Sequence, residues 1–256
     1  IFMTNYAGVL EKGRREGLFQ SYDSPMLAHV PARYVGPGNQ WFGASVRARV
    51  IVYNKKLVDP ARLGSILDLA HPAWKGRLGI TVSTNGSYVG GLATMLAQHG
   101  VAKTRHFLEG IKANAGENVF PKHTPIVSAV ARGEIAVGLV NHYYFYRAIT
   151  KNGALPIGIL YPDGDGAGVP TTISGLAILT HAKRVAAARR FVDFVLSEQG
   201  QKLFAEVNFE FPVSEAVARH PLLPGPGQVR LAPVEQALKV ERIDQAVLLI
   251  KTVGLL

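Results

Sequence analysis

The chain has 256 residues, 48% of them hydrophobic and 18% charged, which excludes a disordered segment and allows either one large domain or two lobes. It contains no cysteine, which removes disulfides, thiolate metal sites and cysteine nucleophiles and fits an exported bacterial protein. The formal net charge is +10, yet the basic residues are scattered and their densest clusters, 12–15 and 183–190, have the spacing of solvated helix faces, so no nucleic-acid partner is expected.

In chain order, residues 1–4 (IFMT) read as the middle of a buried strand with no signal-like core, so an upstream strand and helix, or a signal sequence, is expected. A helix is predicted over 7–16 and ends at Gly17; residues 24–40, rich in Pro and Gly, read as loop. Residues 46–53 (VRARVIVY) alternate and then turn wholly apolar, as a strand does when it passes from a wet edge into a buried sheet. That strand is a candidate crossover between lobes. A short helix is predicted over 59–69, then a turn, a Trp74 anchor and a strand within 71–82. The small polar turn STNGSYVGG follows, and a helix over 92–99. A helix start behind such a turn offers free N–H groups and a positive dipole end to an anion. It is no Walker loop, because the terminal Gly-Lys-Ser/Thr is absent.

Further on, the pattern predicts a helix over 101–115, an extended piece at 118–121, a helix over 125–132 closed by Gly133, and a strand over 135–140. This strand runs into VNHYYFYR at 140–147. Another strand is expected at 155–161, and a loop at 163–168, where Asp163 and Asp165 resemble a calcium loop without its spaced glutamate and read as a turn. A second crossover strand at 173–179, helices at 183–196 and 198–205, a Pro/Gly linker at 221–227 and a helix at 243–255 complete the chain. The alternation predicts an α/β fold with a largely parallel sheet and ligands at the carboxyl ends of its strands. The expected division is residues 1–47 with 172–225 as one lobe and 48–171 as the other, with 226–256 packing across and hinges near 46–53 and 172–179.

The aromatic stretch has two readings. Neighbouring helical side chains point about 100° apart, so Tyr143 and Tyr144 do not share one core; at a helix start beside a cleft both hydroxyls can turn to one ion. Otherwise they are packing aromatics with satisfied hydroxyls. A phenol, with a pKa of about 10, becomes a ligand only for a strong cation, and ferric iron is hard and prefers oxygen. His142 reads as a surface or supporting neighbour. The histidines have no HExxH spacing and the serines no GxSxG elbow, so neither a zinc hydrolase nor a serine hydrolase is indicated.

Taken together, AWKGRLGI (73–80), STNGSY (83–88), a strand ending in NHYYFYR and FVDFVLSEQGQ (191–201) resemble the ferric-ion-binding periplasmic proteins of bacterial ABC transporters, over essentially the whole chain. The first and last pieces mark the wider solute-binding superfamily; the paired tyrosines after an asparagine belong more to the iron branch. The resemblance implies a two-lobed periplasmic-binding fold of type II that performs no catalysis. It further implies a monomer, periplasmic or an extracytoplasmic lipoprotein, that captures Fe3+ in the inter-lobe cleft and delivers it to an ABC permease in the inner membrane. Tyr88, Tyr143 and Tyr144 correspond to metal ligands, Arg47 to the partner of a synergistic anion such as carbonate or phosphate, Asn85, Gly86 and Ser87 to the helix-start cradle, and Asn141 to an anion-contacting amide. Arg49, two residues along the strand, is a second candidate for the anion. Asn5 and Tyr6 stand where some members carry a Glu ligand followed by Gln, so that carboxylate is absent, and its histidine partner would lie upstream of Ile1. Asn5 and Tyr6 are additional candidate site residues. Two alternatives stay open: the same fold binding an oxyanion or small organic solute such as sulfate or a phosphonate through Arg47, residues 83–87 and Asn141, and an enzyme that uses Ser83 or His142.

Overall fold

The fold is organised on β2 (Phe42–Asn54), a 13-residue strand buried at every position but Tyr53. In the computed structural model, which describes residues 1–163, 166–233, 235 and 240–255, β2 changes partners midway. Through Ala48 it lies antiparallel to β7 (Thr171–Ala177); from Arg49 onward it lies antiparallel to β5 (Val137–Asn141) and, at its end, to β6 (Ile157–Leu160). β1 (Phe2–Thr4) extends the sheet beyond β7, and β8 (Phe211–Pro212) pairs with β2 at Ser45 and Val46. On the other side β3 (Leu78–Thr81) runs parallel to β5 and to β4 (Val119–Phe120). The order is β1-β7-β2-β5-β3-β4.

The expected largely parallel sheet is therefore found only in β3, β4 and β5. Burial on both faces produces a continuous apolar run, and such a run carries no information on the direction of the neighbouring strand.

Among the described residues the α-helices are α1 (Ala7–Arg15), α2 (Gly86–Ala115), α3 (His123–Arg132), α4 (His142–Asn152), α5 (Val185–Leu196), α6 (Glu198–Lys202) and α7 (Val240–Val253). The two helices expected at 92–99 and 101–115 are joined end to end within α2, where Gly100 sits at φ 75°, ψ 177°. Left-handed Gly133, at φ 77°, ends α3 as expected. The helix expected at 59–69 is instead two 3-10 turns, Pro60–Arg62 and Ile66–Ala70. Asp59 and Ser65 each accept a backbone N–H two residues on and so start separate turns.

Leu92, Leu96, Phe107, Leu108 and Ile111 of α2 share one apolar cluster with Ile243, Ala246, Leu249 and Ile250 of α7, so the C-terminal helix is fixed by α2. A second cluster joins β2 and β7 to Val192, Val195 and Leu196 of α5. Asp163, expected in a turn, accepts from the Gly168 N–H and pairs with Arg230 at 2.9 Å, while Asp165 lies outside the described residues, as do positions 234, 236–239 and 256 of the expected 226–256 segment. Among the described residues no helix is long and apolar enough to cross a membrane.

Candidate functional site

β5 ends at Asn141 and α4 starts at the next residue, so the chain turns from strand to helix inside the tyrosine stretch. Asn141 has an extended backbone but makes no side-chain cap to its own helix. Its amide is engaged across the sheet. Arg49, its register partner on β2, donates from Nη1 to Asn141 Oδ1 at 3.0 Å, and Asn141 Nδ2 donates to Tyr143 Oη at 3.4 Å. The rings of Tyr143 and Tyr144 lie 4.4 Å apart between centroids, tilted by 32°. Consecutive helical residues would ordinarily diverge; here both rings turn to the same side.

Tyr88 comes to the same place from the first turn of α2, which Asn85 caps by accepting from the Ser87 N–H at 3.1 Å and the Ser87 hydroxyl at 2.7 Å. The Tyr88 hydroxyl is buried with no hydrogen-bond partner. Burial pushes its pKa up against the pull of Arg49. For Tyr144, burial and then the neighbouring Tyr143 do the same. Arg49 is only 3% exposed, and burial draws its guanidinium down to about 10, opposed by the charges of Tyr88, Tyr143 and Tyr144. One buried cation thus faces three phenols from two strand ends.

Arg47, whose charge also pulls on the Tyr144 phenol, borders a second space. With Thr4, Asn5, Ser174 and Glu210 it lines an open cleft of about 470 Å3. Asn5 joins this cleft to the start of α2: a Cβ on Gly86 would stand 2.8 Å from Asn5 Oδ1. Tyr6 is buried at 2% exposure among apolar neighbours, its ring so close to two helices that a Cβ on Gly8 or on Gly90 would meet it at 2.7 Å. Ser83, part of the same turn in sequence, is committed to the C-terminal end, donating to the Leu255 carbonyl at 2.5 Å. Among the described residues no group of three or more His, Cys, Asp or Glu side chains is placed to hold a metal.

Residues 1–228 match the family of bacterial extracellular solute-binding proteins. The chain belongs to that family. Iron uptake protein A1 of Synechocystis is 32% identical over 215 residues, which are 81% of this chain and 60% of that protein. Among solved structures, iron-bound HitA from Pseudomonas aeruginosa is 28% identical with a TM-score of 0.88, covering 98% of this chain and 81% of the other. The Trichodesmium protein IdiA (FutA), in complex with iron and citrate, is 30% identical with a TM-score of 0.82, over 100% of this chain and 83% of its own. The mixed α/β fold is that of periplasmic binding proteins, as expected.

Two residues of this solute-binding protein escaped the sequence reading. His123, at the start of α3, is 2% exposed; its Nε2 lies 3.1 Å from Ser87 Oγ and its ring 4.8 Å from that of Tyr144. Burial, then the charges of Arg49 and Arg47, lower its pKa to about 2, so the ring is neutral. A histidine directly after a predicted extended piece and at a helix start was the available signal. Glu210 is the second, a lone acid inside the apolar run FEFPV, 5% exposed and 3.6 Å from Arg47. His142, expected at the surface or as a supporting neighbour, is wholly buried: its Nδ1 accepts the Ala48 N–H at 3.1 Å, its ring stacks on Phe211 at 4.7 Å, and burial lowers its pKa to about 3. It serves the point where β2 changes partners, which only the fold reveals. Tyr146 packs in the core, with its hydroxyl 3.2 Å from that of Tyr161.

Proposed function

We propose that this solute-binding protein carries Fe3+, coordinated by the phenolate oxygens of Tyr88, Tyr143 and Tyr144, with carbonate or phosphate as synergistic anion at Arg47, Asn85, Gly86, Ser87 and Asn141. The observation that carries the reading is the approach of three phenols to one buried arginine, Arg49. Burial keeps Tyr88 and Tyr144 protonated in the iron-free protein. A triply charged cation reverses that balance, because three phenolates neutralise it and Arg49 stabilises their negative charge. The helix start at Asn85 and the guanidinium of Arg47 offset the anion. Asn5 stands next to the anion cradle, and Tyr6 is an additional candidate ligand. The names of the relatives, an iron uptake protein and an iron-bound HitA, support iron as the cargo.

Residues 1–47 with 172–225 act as one lobe and 48–171 as the other, with 226–256 packing across and hinges near 46–53 and 172–179. The change of strand partners at Ala48 and Arg49 is consistent with a hinge there. Closure excludes water and strengthens each charge contact. The protein acts in the periplasm as a monomer, makes and breaks no covalent bonds, and hands iron to an ABC permease in the inner membrane.

Ferric titration with and without carbonate, followed in the visible range, tests this. A phenolate-to-iron absorption band that strengthens with carbonate is expected. A protein that stays colourless in both and instead takes up sulfate or a phosphonate would transfer the assignment to an oxyanion carrier using Arg47 and Asn141.

A further inference from the structure

The segment just before β8 holds an unusual backbone. Phe209 has φ 56°, in the left-handed region that a bulky side chain rarely adopts. The next residue, Glu210, is thereby part of the cleft wall while almost wholly buried. Its Oε2 accepts from the Ser45 hydroxyl and its Oε1 from the Asn208 amide. Ser174 supports Ser45 in turn, with 2.5 Å between the hydroxyl oxygens. Neutral donors therefore hold both carboxylate oxygens, and Oε2, which accepts from Ser45, is also the one that faces the arginine.

Toward Arg47 the arrangement is different. Arg47 Nε lies 3.6 Å from Glu210 Oε2, close enough to cancel charge and too far for a hydrogen bond, and this buried Nε has no hydrogen-bond partner. A buried ion pair with no hydrogen bond between its two members is weak, since attraction alone barely offsets the desolvation of both groups. An oxyanion entering the cleft would bring what the carboxylate withholds, an acceptor in hydrogen-bond contact with the guanidinium.

We propose that Glu210 is a built-in counter-ion which an incoming oxyanion displaces from Arg47, so that Glu210 sets the affinity and the charge preference of the anion site. The inference rests on the assignment of the synergistic anion to Arg47. While the cleft is free of anion, Glu210 keeps Arg47 from collecting any passing negative charge, because a tethered carboxylate competes at high effective concentration. Phe209 and the Ser45 and Asn208 donors stop the carboxylate from closing onto Arg47. Once an oxyanion takes the arginine, the carboxylate loses its main cationic partner. Burial already raises the Glu210 pKa against Arg47 and Arg147, so proton uptake accommodates the exchange.

The test is calorimetric titration of hydrogencarbonate and of inorganic phosphate into the iron-free full chain. Glu210→Gln is expected to tighten hydrogencarbonate by roughly 10-fold and phosphate by more, because an added positive charge favours the more highly charged anion. Arg47→Gln should abolish binding, and the double variant should behave like Arg47→Gln. Unchanged or weaker binding in Glu210→Gln, or a gain that survives in the double variant, overturns the proposal. Should Glu210→Gln lose the wild-type melting transition, Glu210→Asp retracts the carboxylate by one methylene, and a smaller gain is expected; no gain overturns the proposal equally. The visible iron band of the wild type is recorded alongside. A coloured wild type with no gain in Glu210→Gln removes the exchange alone, whereas a colourless wild type with the gain removes iron and leaves the exchange standing.

Discussion

Arg49 and Asn141 face each other across β2 and β5, and the guanidinium donates to the amide oxygen at 3.0 Å. The other end of that amide reaches the Tyr143 hydroxyl, so a single side chain connects the buried cation to a candidate ligand. Asn141→Ala leaves Arg49 short of an acceptor inside the protein, a loss of about 2 kcal/mol in urea unfolding of the iron-free chain. Asn141→Asp, which keeps an acceptor and adds a charge opposite Arg49, is expected to recover most of it.

Removing a ligand phenol acts on colour and affinity together. Tyr143→Phe or Tyr144→Phe is expected to bleach the visible band and weaken iron by at least about 100-fold, a larger effect than loss of a supporting partner produces. Iron retained at unchanged affinity in the double Tyr→Phe variant would show that the metal sits elsewhere.

Proton release supplies an independent count. Burial keeps Tyr88 and Tyr144 protonated, and metal binding requires the deprotonated ligands, so about three protons should leave per iron bound by three phenols. Affinity then rises with pH. A pH-stat titration that records fewer than about two would remove at least one tyrosine from the ligand set.

Acid should destabilise the iron-free protein well above the carboxylate range. His123 and His142 have folded pKa values lowered to about 2 and about 3, so below the ordinary value of 6.5 the unfolded chain binds protons that the folded chain refuses. The stabilising contribution is complete above 6.5 and is lost as pH falls toward the folded values; between pH 7.5 and 5.5 the two rings together account for roughly 2–3 kcal/mol. Denaturant melts across this window measure it, and His123→Asn should remove about half of the slope.

Tyr6 separates packing from ligation. Its hydroxyl is buried without a partner, so Tyr6→Phe removes an unsatisfied group and should hold or raise the melting temperature. Loss of iron affinity in that variant would make Tyr6 a ligand. Gly90→Ala pushes a methyl to 2.7 Å from the Tyr6 ring and 3.0 Å from Thr172, and is expected to destabilise by about 1–3 kcal/mol.

Much of the candidate site was legible before any fold. The paired tyrosines after Asn141 and the small-residue turn ending in Tyr88 are local patterns, each a strand running into a helix, and the structure puts both at strand ends. The pairings of Glu210 and His123 were not legible, because the partners, Arg47 and Ser87, lie 163 and 36 positions away.

By itself the sequence determined where strands yield to helices, which side chains gather at those junctions and, through the continuous apolar stretch of β2, which segment is buried on both faces. Only the tertiary structure decided that Arg49 faces the tyrosines while Arg47 faces Glu210 and an open cleft. Periodicity reports burial, a property of each residue alone, whereas the work of an arginine depends on which charges stand within a few ångströms of it. Arg47 and Arg49 share one strand and one pattern, and they are separated in role because β2 exchanges β7 for β5 between them.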